Sequence, residues 1–500
     1  MQETVLGSDY KQKVEEVRQL LLESKDNGTD SLVFVDDIQR VGFDDYFEEE
    51  IEIILRQQYN YYSYNCRSAT STTACLHDVS LFFRLLRQHG YYVSADVFNN
   101  FKGKDGKFLE EVKQDIRGLM ALYEAAQLSF NGETIIDEAQ DFSRLHLTAY
   151  LHDQNENENE NENLCCDQEA IRNTLRHPQH KTMPRLSSAK SLWHGDHLVK
   201  GSKVWEKSLR ELVHMDFLSA KSLHQEELLQ ISKWWKDLGL GEKLPKARNQ
   251  AVKWYTWSMA SMNDPRLSFQ RIELTKPIAF IYLIDDIFDL YGTIHELTLF
   301  TQAINRYVLT YEDGNILYLY KSVASLCEAF LVEARWFATG ELPTAQEYLK
   351  NGKVTTGVHV VLVHLFFLLG LGGGTDDHEI VNWNHTSKLT SSIATILRLW
   401  DDLGSSKDEQ QDGQDGSYIT CYMTDEPNVS AEQARQHVVN MISIEWRNLN
   451  QECFRLNHFS AACFKRSSLN LARMVPLMYA YDENQRLPLL QEYMRSTLFD

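Results

Sequence analysis

The sequence is poor in the residues that interrupt helices, with nine prolines and 24 glycines in 500 positions. No stretch keeps the apolar–polar alternation of a half-buried strand, so the chain reads as all-α. Positive charge is scarce as well. Fifty Lys and Arg stand against 71 Asp and Glu, a net charge of −21, which argues against non-specific nucleic-acid binding and adhesion to anionic membranes. Eight cysteines (Cys66, Cys75, Cys165, Cys166, Cys327, Cys421, Cys453, Cys463) are scattered without a CxxC or an even framework. That is the usage of a reducing compartment, and none is placed like a nucleophile or a zinc ligand. Long apolar runs are missing too. The longest, Val358 to Leu371, has 14 residues including two histidines, too short to span a bilayer and suited to a buried helix. The N-terminal residues show neither a secretory signal nor a transit peptide. The expectation is therefore a cytoplasmic protein, or a plastid one if the native N-terminus is longer.

What is present is helical pattern from about residue 9 onward. Val14, Val17, Leu20 and Leu21 recur at helical spacing, Phe43 to Leu55 is an acidic amphipathic segment, and Leu81 to Leu86 is a helix core. Tyr59, Tyr61, Tyr62 and Tyr64 cluster between these two segments, and at that spacing aromatics are expected to pack. An Asn-Glu tract then interrupts the pattern, read as a disordered surface loop over about 153–163. Regular pattern resumes at Val204, so two helical domains are expected, 1–203 and 204–500. Five hundred residues suit two domains or more.

The second half is organised around Ile278–Ile284, an apolar run leading directly into Asp285-Asp286-Ile287-Phe288-Asp289. Pro277 suits a first helical turn and Gly292 the residue past the last, so the spacing predicts a buried helix between them. Three carboxylates then crowd its C-terminal end, where the macrodipole disfavours anions, and Asp285 and Asp289 repel across one turn. Divalent cations resolve that conflict, and Mg²⁺ takes one or two carboxylates together with substrate phosphates. A second acidic stretch, Arg398-Leu399-Trp400-Asp401-Asp402-Leu403-Gly404-Ser405-Ser406-Lys407-Asp408-Glu409, spaces oxygen ligands at i, i+4 and i+8: Asp401, Ser405 and Glu409. On a helix these share one stripe, with Arg398 a turn before them to meet a phosphate. An EF-hand fails here, because Gln410 and Ile419 would occupy ligand positions.

Two oxygen-only clusters with arginines nearby and an aromatic-rich helical core resemble a plant class I terpene synthase. Asp285, Asp286 and Asp289 match its DDxxD motif, and Asp401, Ser405 and Glu409 its NSE/DTE motif. The resemblance extends from Tyr10 to the C-terminus, through Ile38-Gln39-Arg40-Val41-Gly42 and Trp234-Trp235-Lys236-Asp237-Leu238. It implies a C-terminal class I terpenoid synthase fold behind an N-terminal α-barrel-like domain. It also implies three Mg²⁺ ions (Mn²⁺ as a substitute) on Asp285, Asp286, Asp289, Asp401, Ser405 and Glu409. The substrate implied is a prenyl diphosphate, bound through Arg248, Arg398 and the metals on Asp285, Asp289 and Asp401. Catalytic work falls to Asp285, Asp289, Arg398 and Trp257, whose ring face can stabilise an allylic cation. A monomer without nucleic-acid or membrane partners is expected.

Departures from the family pattern are informative. Its RxR motif stands here as Arg248-Asn249-Gln250, lacking the second arginine, and the N-terminal RRx8W motif of cyclising relatives is absent. With Met474-Val475-Pro476-Leu477-Met478-Tyr479 these features look most like the subfamily making acyclic linalool and nerolidol. The expected reaction is ionisation of geranyl or farnesyl diphosphate with water capture, and Gln250→Arg is expected to add cyclic products. Acyclic hydrocarbons or cyclic terpenes are the alternative. A chain-elongating prenyltransferase needs a second DDxxD, which neither Asp376-Asp377-His378-Glu379 nor Asp36-Asp37-Ile38-Gln39 provides. A non-catalytic helical scaffold would be indifferent to loss of Asp285 or Glu409.

Overall fold

The computed structural model describes residues 8–65, 75–156, 162–184, 204–308, 314–371, 383–405, 417–456, 461–482 and 486–499. Its described residues are helical, with one isolated bridge, Lys102 to Phe108, and no strand. The chain divides into two compact units, Met1–Lys221 (with Phe499–Asp500) and Ser222–Leu498. The division falls inside a 33-residue helix instead of at Val204.

The first unit is built from α1 (Ser8–Ser24), α2 (Thr29–Arg40), α3 (Glu48–Asn65), α4 (Leu76–Gln88), α5 (Ile116–Ala126), α6 (Thr134–Glu156), α7 (Glu162–Arg176) and the start of α8 (Glu206–Leu238). Phe34, Phe43, Phe47, Phe83 and Phe98 are fully buried at its centre. Buried charge there is paired: Arg87 binds Glu133 through two hydrogen bonds, 2.5 and 2.7 Å long, beneath the rings of Phe83 and Phe130. Tyr59 and Tyr62 pack on this core, whereas Tyr61 and Tyr64 of the same cluster are exposed. The Asn-Glu tract is more helical at its edges than expected. α6 continues to Glu156 and α7 begins at Glu162; residues 157–161 lie outside the described set. At the start of α4, Cys75, His77 and Asp78 bring possible ligand atoms within 4.8 Å of one another, an arrangement the scattered cysteine pattern did not suggest.

The second unit holds α9 (Ala251–Ser261), α10 (Ser268–Leu290), α11 (Ile294–Val308), α12 (Gly314–Thr339), α13 (Ala345–Thr355), α14 (Val358–Leu368), α15 (Ser387–Ser405), α16 (Tyr418–Asp425), α17 (Ala431–Arg455), α18 (Ala462–Tyr479) and α19 (Pro488–Met494). α10 is the helix anticipated around Ile278–Ile284, but it starts nine residues earlier than Pro277, which lies inside it. Proline removes one i→i−4 bond, and burial of Arg271, Leu274, Thr275, Ile278 and Ala279 on both sides of it keeps the helix whole. At the other end Gly292 is required sterically, since a Cβ there would lie 2.3 Å from Leu297 Cδ2. α13 opens with a Thr344–Glu347 capping box, satisfying two otherwise orphaned amides. α13 and α14 together, Ala345–Leu368, have the length and mean hydropathy (1.2) of a membrane span, yet 56% of the apolar window is buried. They are also separate helices, broken at Gly357, whose φ of +69° is left-handed. α8, α9 and α10 are joined by a buried network. The guanidinium of Arg271, 0% exposed, pairs bidentately with Glu227 at 2.6 and 2.9 Å, and the Tyr255 hydroxyl donates to Glu227 at 2.7 Å.

Candidate active site

α10 delivers its three aspartates to three different environments. Successive residues on a helix are about 100° apart, so Asp285 and Asp286 cannot face the same way. Asp285 lines a cavity of about 220 Å³ within the second unit. Asp286, 4% exposed, instead accepts from the Arg248 backbone N–H and from Arg248 Nε, both at 2.7 Å. Asp289, one turn on, is exposed and outside the cavity lining. The loop before α9 is thereby fastened to the end of α10. The Tyr291 hydroxyl accepts from the Ala247 amide at 3.2 Å and also from Lys246. Arg248 reaches Asp285 with its Nη2 and lies 5.0 Å from the Tyr282 ring centre.

α15 repeats the arrangement from the opposite wall. Asp401 lines the cavity and pairs with Arg398, while its neighbour Asp402 is 1% exposed. Asp402 pairs with Arg398 at 3.0 Å and accepts from the Tyr348 hydroxyl at 2.9 Å and from the Tyr418 backbone N–H at 3.1 Å. α15 continues to Ser405, so the backbone carries that residue one turn past Asp401; Glu409 lies outside the described residues. Arg398 also needs space. A Cβ on Gly352 would stand 2.7 Å from Arg398 Cδ.

Between these walls the cavity is lined by Ile278, Ile281, Phe330, Val358, Val361, Ile393, Leu397 and Leu471, together with Thr355, Thr356, Tyr282, Tyr479 and Tyr481. Trp257 is almost wholly buried on it, and its indole N–H donates to Tyr282 Oη at 3.4 Å. Sequence pattern thus identified Asp285, Asp401, Arg248, Arg398 and Trp257, and the fold brings all five to one cavity. Gln250 is different. It is exposed at the N-cap of α9 and is not part of the lining; Lys253, one turn further, faces in. A further acid escaped sequence reading: Glu333 of α12 accepts from Thr355 Oγ1 at 2.9 Å and from Asn351 Nδ2 at 3.3 Å. Nothing local marks it, because only the packing of α12 on α13 brings it near.

The electrostatics are those of anions held in an apolar place. Burial pushes the Asp285 carboxyl up, against the pull of Arg248. Burial likewise raises Asp402, against Arg398, and lifts Glu333 to about 7. Acids whose charge is disfavoured by burial regain it beside a cation. Among the described residues the metal-binding donors of the lining are oxygens, with no thiolate or imidazole, a set that suits Mg²⁺ or Mn²⁺ better than Zn²⁺. Two half-buried acids on facing helices, Asp285 and Asp401, each stand beside an arginine and open on an apolar cavity with an indole, an arrangement suited to a metal-bound anion attached to a hydrocarbon.

Comparison with known proteins agrees. Residues 2–175 match the terpene synthase N-terminal domain, and residues 236–314 and 308–448 match the terpene synthase family metal-binding domain. The chain belongs to the terpene synthase family. A chloroplastic tricyclene synthase of Antirrhinum majus is 48% identical over 99% of this chain and 88% of its own length. An (E)-nerolidol synthase of Cannabis sativa is 42% identical over 96% and 90%. Grey poplar isoprene synthase, solved with three Mg²⁺ ions and dimethylallyl-S-thiolodiphosphate, superposes with a TM-score of 0.84 at 29% identity, covering 99% of this chain and 97% of that one. The fold is that of a class I terpenoid synthase, and the protein is a metal-dependent terpene synthase.

Proposed function

We propose that the protein ionises geranyl or farnesyl diphosphate and quenches the allylic cation with water, yielding the acyclic tertiary alcohols linalool and nerolidol. The observation that carries the ionisation is the meeting of Asp285 and Asp401, each beside an arginine, at one apolar cavity with Trp257. Asp285, Asp289, Asp401, Ser405 and Glu409 are the residues proposed to hold the Mg²⁺ ions, three by the family resemblance. Asp286 is spent on Arg248, so its part is to position that arginine. When bound, the ions act as Lewis acids that stabilise charge on the leaving diphosphate.

The chain's own residues supply the rest. Arg248 and Arg398 exchange their carboxylate partners for diphosphate oxygens, forming charge-assisted contacts with the anion. The allylic C–O bond breaks and its electron pair leaves with the diphosphate. Trp257 offers its ring face to the carbon cation, and the Ile, Val, Leu and Phe walls keep bulk water out. A water oxygen adds at the tertiary carbon and its proton passes to the diphosphate. Among the hydroxyl residues of the lining, Thr355 and Thr356 already donate to Glu333 and to the Lys353 carbonyl, so Tyr282, Tyr479 and Tyr481 are the ones proposed to hold such a water.

A cyclic product is the second reading, favoured by the 48% identity to a protein named for tricyclene. That relative's chloroplastic name also favours geranyl diphosphate in a plastid over farnesyl diphosphate in the cytosol, and tagging the native transcript's product in cells tests the location. Incubating the purified protein with each diphosphate and Mg²⁺, then identifying the volatiles, tests the function. Linalool and nerolidol as main products support the first reading. Mainly cyclic terpenes support the second, and no volatile product from either substrate refutes both.

A further inference from the structure

Three cations line the cavity, and two of them are already matched. Arg248 is held by Asp285 and Asp286, and Arg398 by Asp401 and Asp402. Lys253 is the exception: among the described residues it makes no hydrogen bond and no ion pair, and its Nζ stands 6.0 Å from the Tyr282 ring centre. Its position is unfavourable for an ammonium in three ways. It occupies the first turn of α9, where the helix dipole favours anions. It is half-buried, and Arg248 is close enough to repel it, so that burial first and Arg248 second push its amine down from the ordinary lysine range, against a weaker pull from Asp401. Each disadvantage is reversed by an anion in the cavity.

We propose that Lys253 is a binding residue for the diphosphate, taking its oxygens alongside Arg248 and Arg398 and keeping them after the allylic C–O bond has broken. The inference rests on the function proposed above and adds a residue that neither acidic motif contains. The geometry of α9 gives it a second support. Lys253 and Trp257 are four residues apart, on one face of the helix, with about 6 Å of axial rise between them. One turn therefore presents a cation for the departing anion, and the next presents an aromatic face for the carbon cation left behind. The alternative role for Lys253 is to pack its aliphatic stem on Tyr282, which Met would reproduce.

The test is binding of inorganic diphosphate in Mg²⁺ buffer by titration calorimetry, with wild type, Lys253→Met, Lys253→Arg and the exposed control Lys233→Met. One charge-assisted contact predicts roughly ten- to hundred-fold weaker binding for Lys253→Met. Lys253→Arg and the control should stay within about threefold of wild type on the same basis. Binding of geraniol, the same hydrocarbon without the anion, should be unchanged in all four. If the Met variant does not fold, Lys253→Gln is measured instead and the same loss is expected. A folded Met or Gln variant that binds diphosphate as tightly as wild type overturns the role of Lys253 alone. A wild type that binds no diphosphate overturns the proposed function, and this inference with it.

Discussion

Asp402 gives the sharpest prediction about how the site is held. Its carboxylate is 1% exposed, forms an ion pair with Arg398 at 3.0 Å and accepts two hydrogen bonds, from Tyr348 Oη at 2.9 Å and the Tyr418 amide at 3.1 Å. Asp402→Ala leaves a mostly buried guanidinium short of one anion and a buried tyrosine hydroxyl without its acceptor. Removing one partner of a buried ion pair costs about 3–5 kcal/mol, and an abandoned hydroxyl about 1–3 kcal/mol. The two losses share one site and do not add fully, and Arg398 keeps Asp401. A destabilisation of about 3–5 kcal/mol is therefore expected, large against a total of roughly 5–15 kcal/mol. Asp402→Asn keeps the shape and one acceptor, so about 1.5–3 kcal/mol is expected, the range for a hydrogen bond to a charged group. Urea unfolding followed by tryptophan fluorescence measures this, because Trp234, Trp235, Trp254 and Trp257 all belong to the second unit. An Ala variant within about 0.5 kcal/mol of wild type, the range of a surface change, would refute the reasoning.

Other substitutions follow from the same geometry. Gly352→Ala should gain up to about 1 kcal/mol of helix propensity. Its methyl would meet Arg398 Cδ at 2.7 Å, so turnover should fall at least several-fold while helicity by circular dichroism holds. Glu333, raised to about 7 by burial from an ordinary 4.5, contributes stability that is complete below about pH 4.5 and is lost as pH rises through 7. In the metal-free protein Glu333→Gln should flatten that fall, and pH-dependent urea midpoints check it. Gln250→Arg should leave the product spectrum as in wild type, because position 250 is exposed outside the cavity and Lys253 already faces in. New cyclic products on gas chromatography would restore the sequence-based expectation for that position.

Much of the site was legible because its parts carry local signals. Adjacent aspartates after an apolar helix announce a charge conflict, and Arg398 sits one helical turn from Asp401. The start of α10 was misread because the run of large apolar residues begins at Ile278. The helix instead includes Ser268–Lys276, where apolar positions are spaced out and Arg271 is buried by its pairing with Glu227. The division of labour between Asp285 and Asp286 follows from helical geometry once one of them faces a cavity; which one does is decided by where the loop carrying Arg248 lies. Lys253, Glu333 and Tyr348 had no signal of their own. Each acquires its neighbours from another helix, as when Tyr348 of α13 meets Asp402 of α15.

The central claim is that Asp285 and the acidic residues around it hold divalent ions that permit ionisation of a prenyl diphosphate. Release of inorganic diphosphate from geranyl diphosphate tests it most directly, measured with Mg²⁺, with chelator, with Zn²⁺ and for Asp285→Ala in Mg²⁺. Release should occur with Mg²⁺, stop with chelator, and remain low with Zn²⁺, which prefers nitrogen and sulfur ligands. Asp285→Ala should lower it by orders of magnitude with its helical circular dichroism intact. Undiminished release from Asp285→Ala, or in the presence of chelator, would contradict the account.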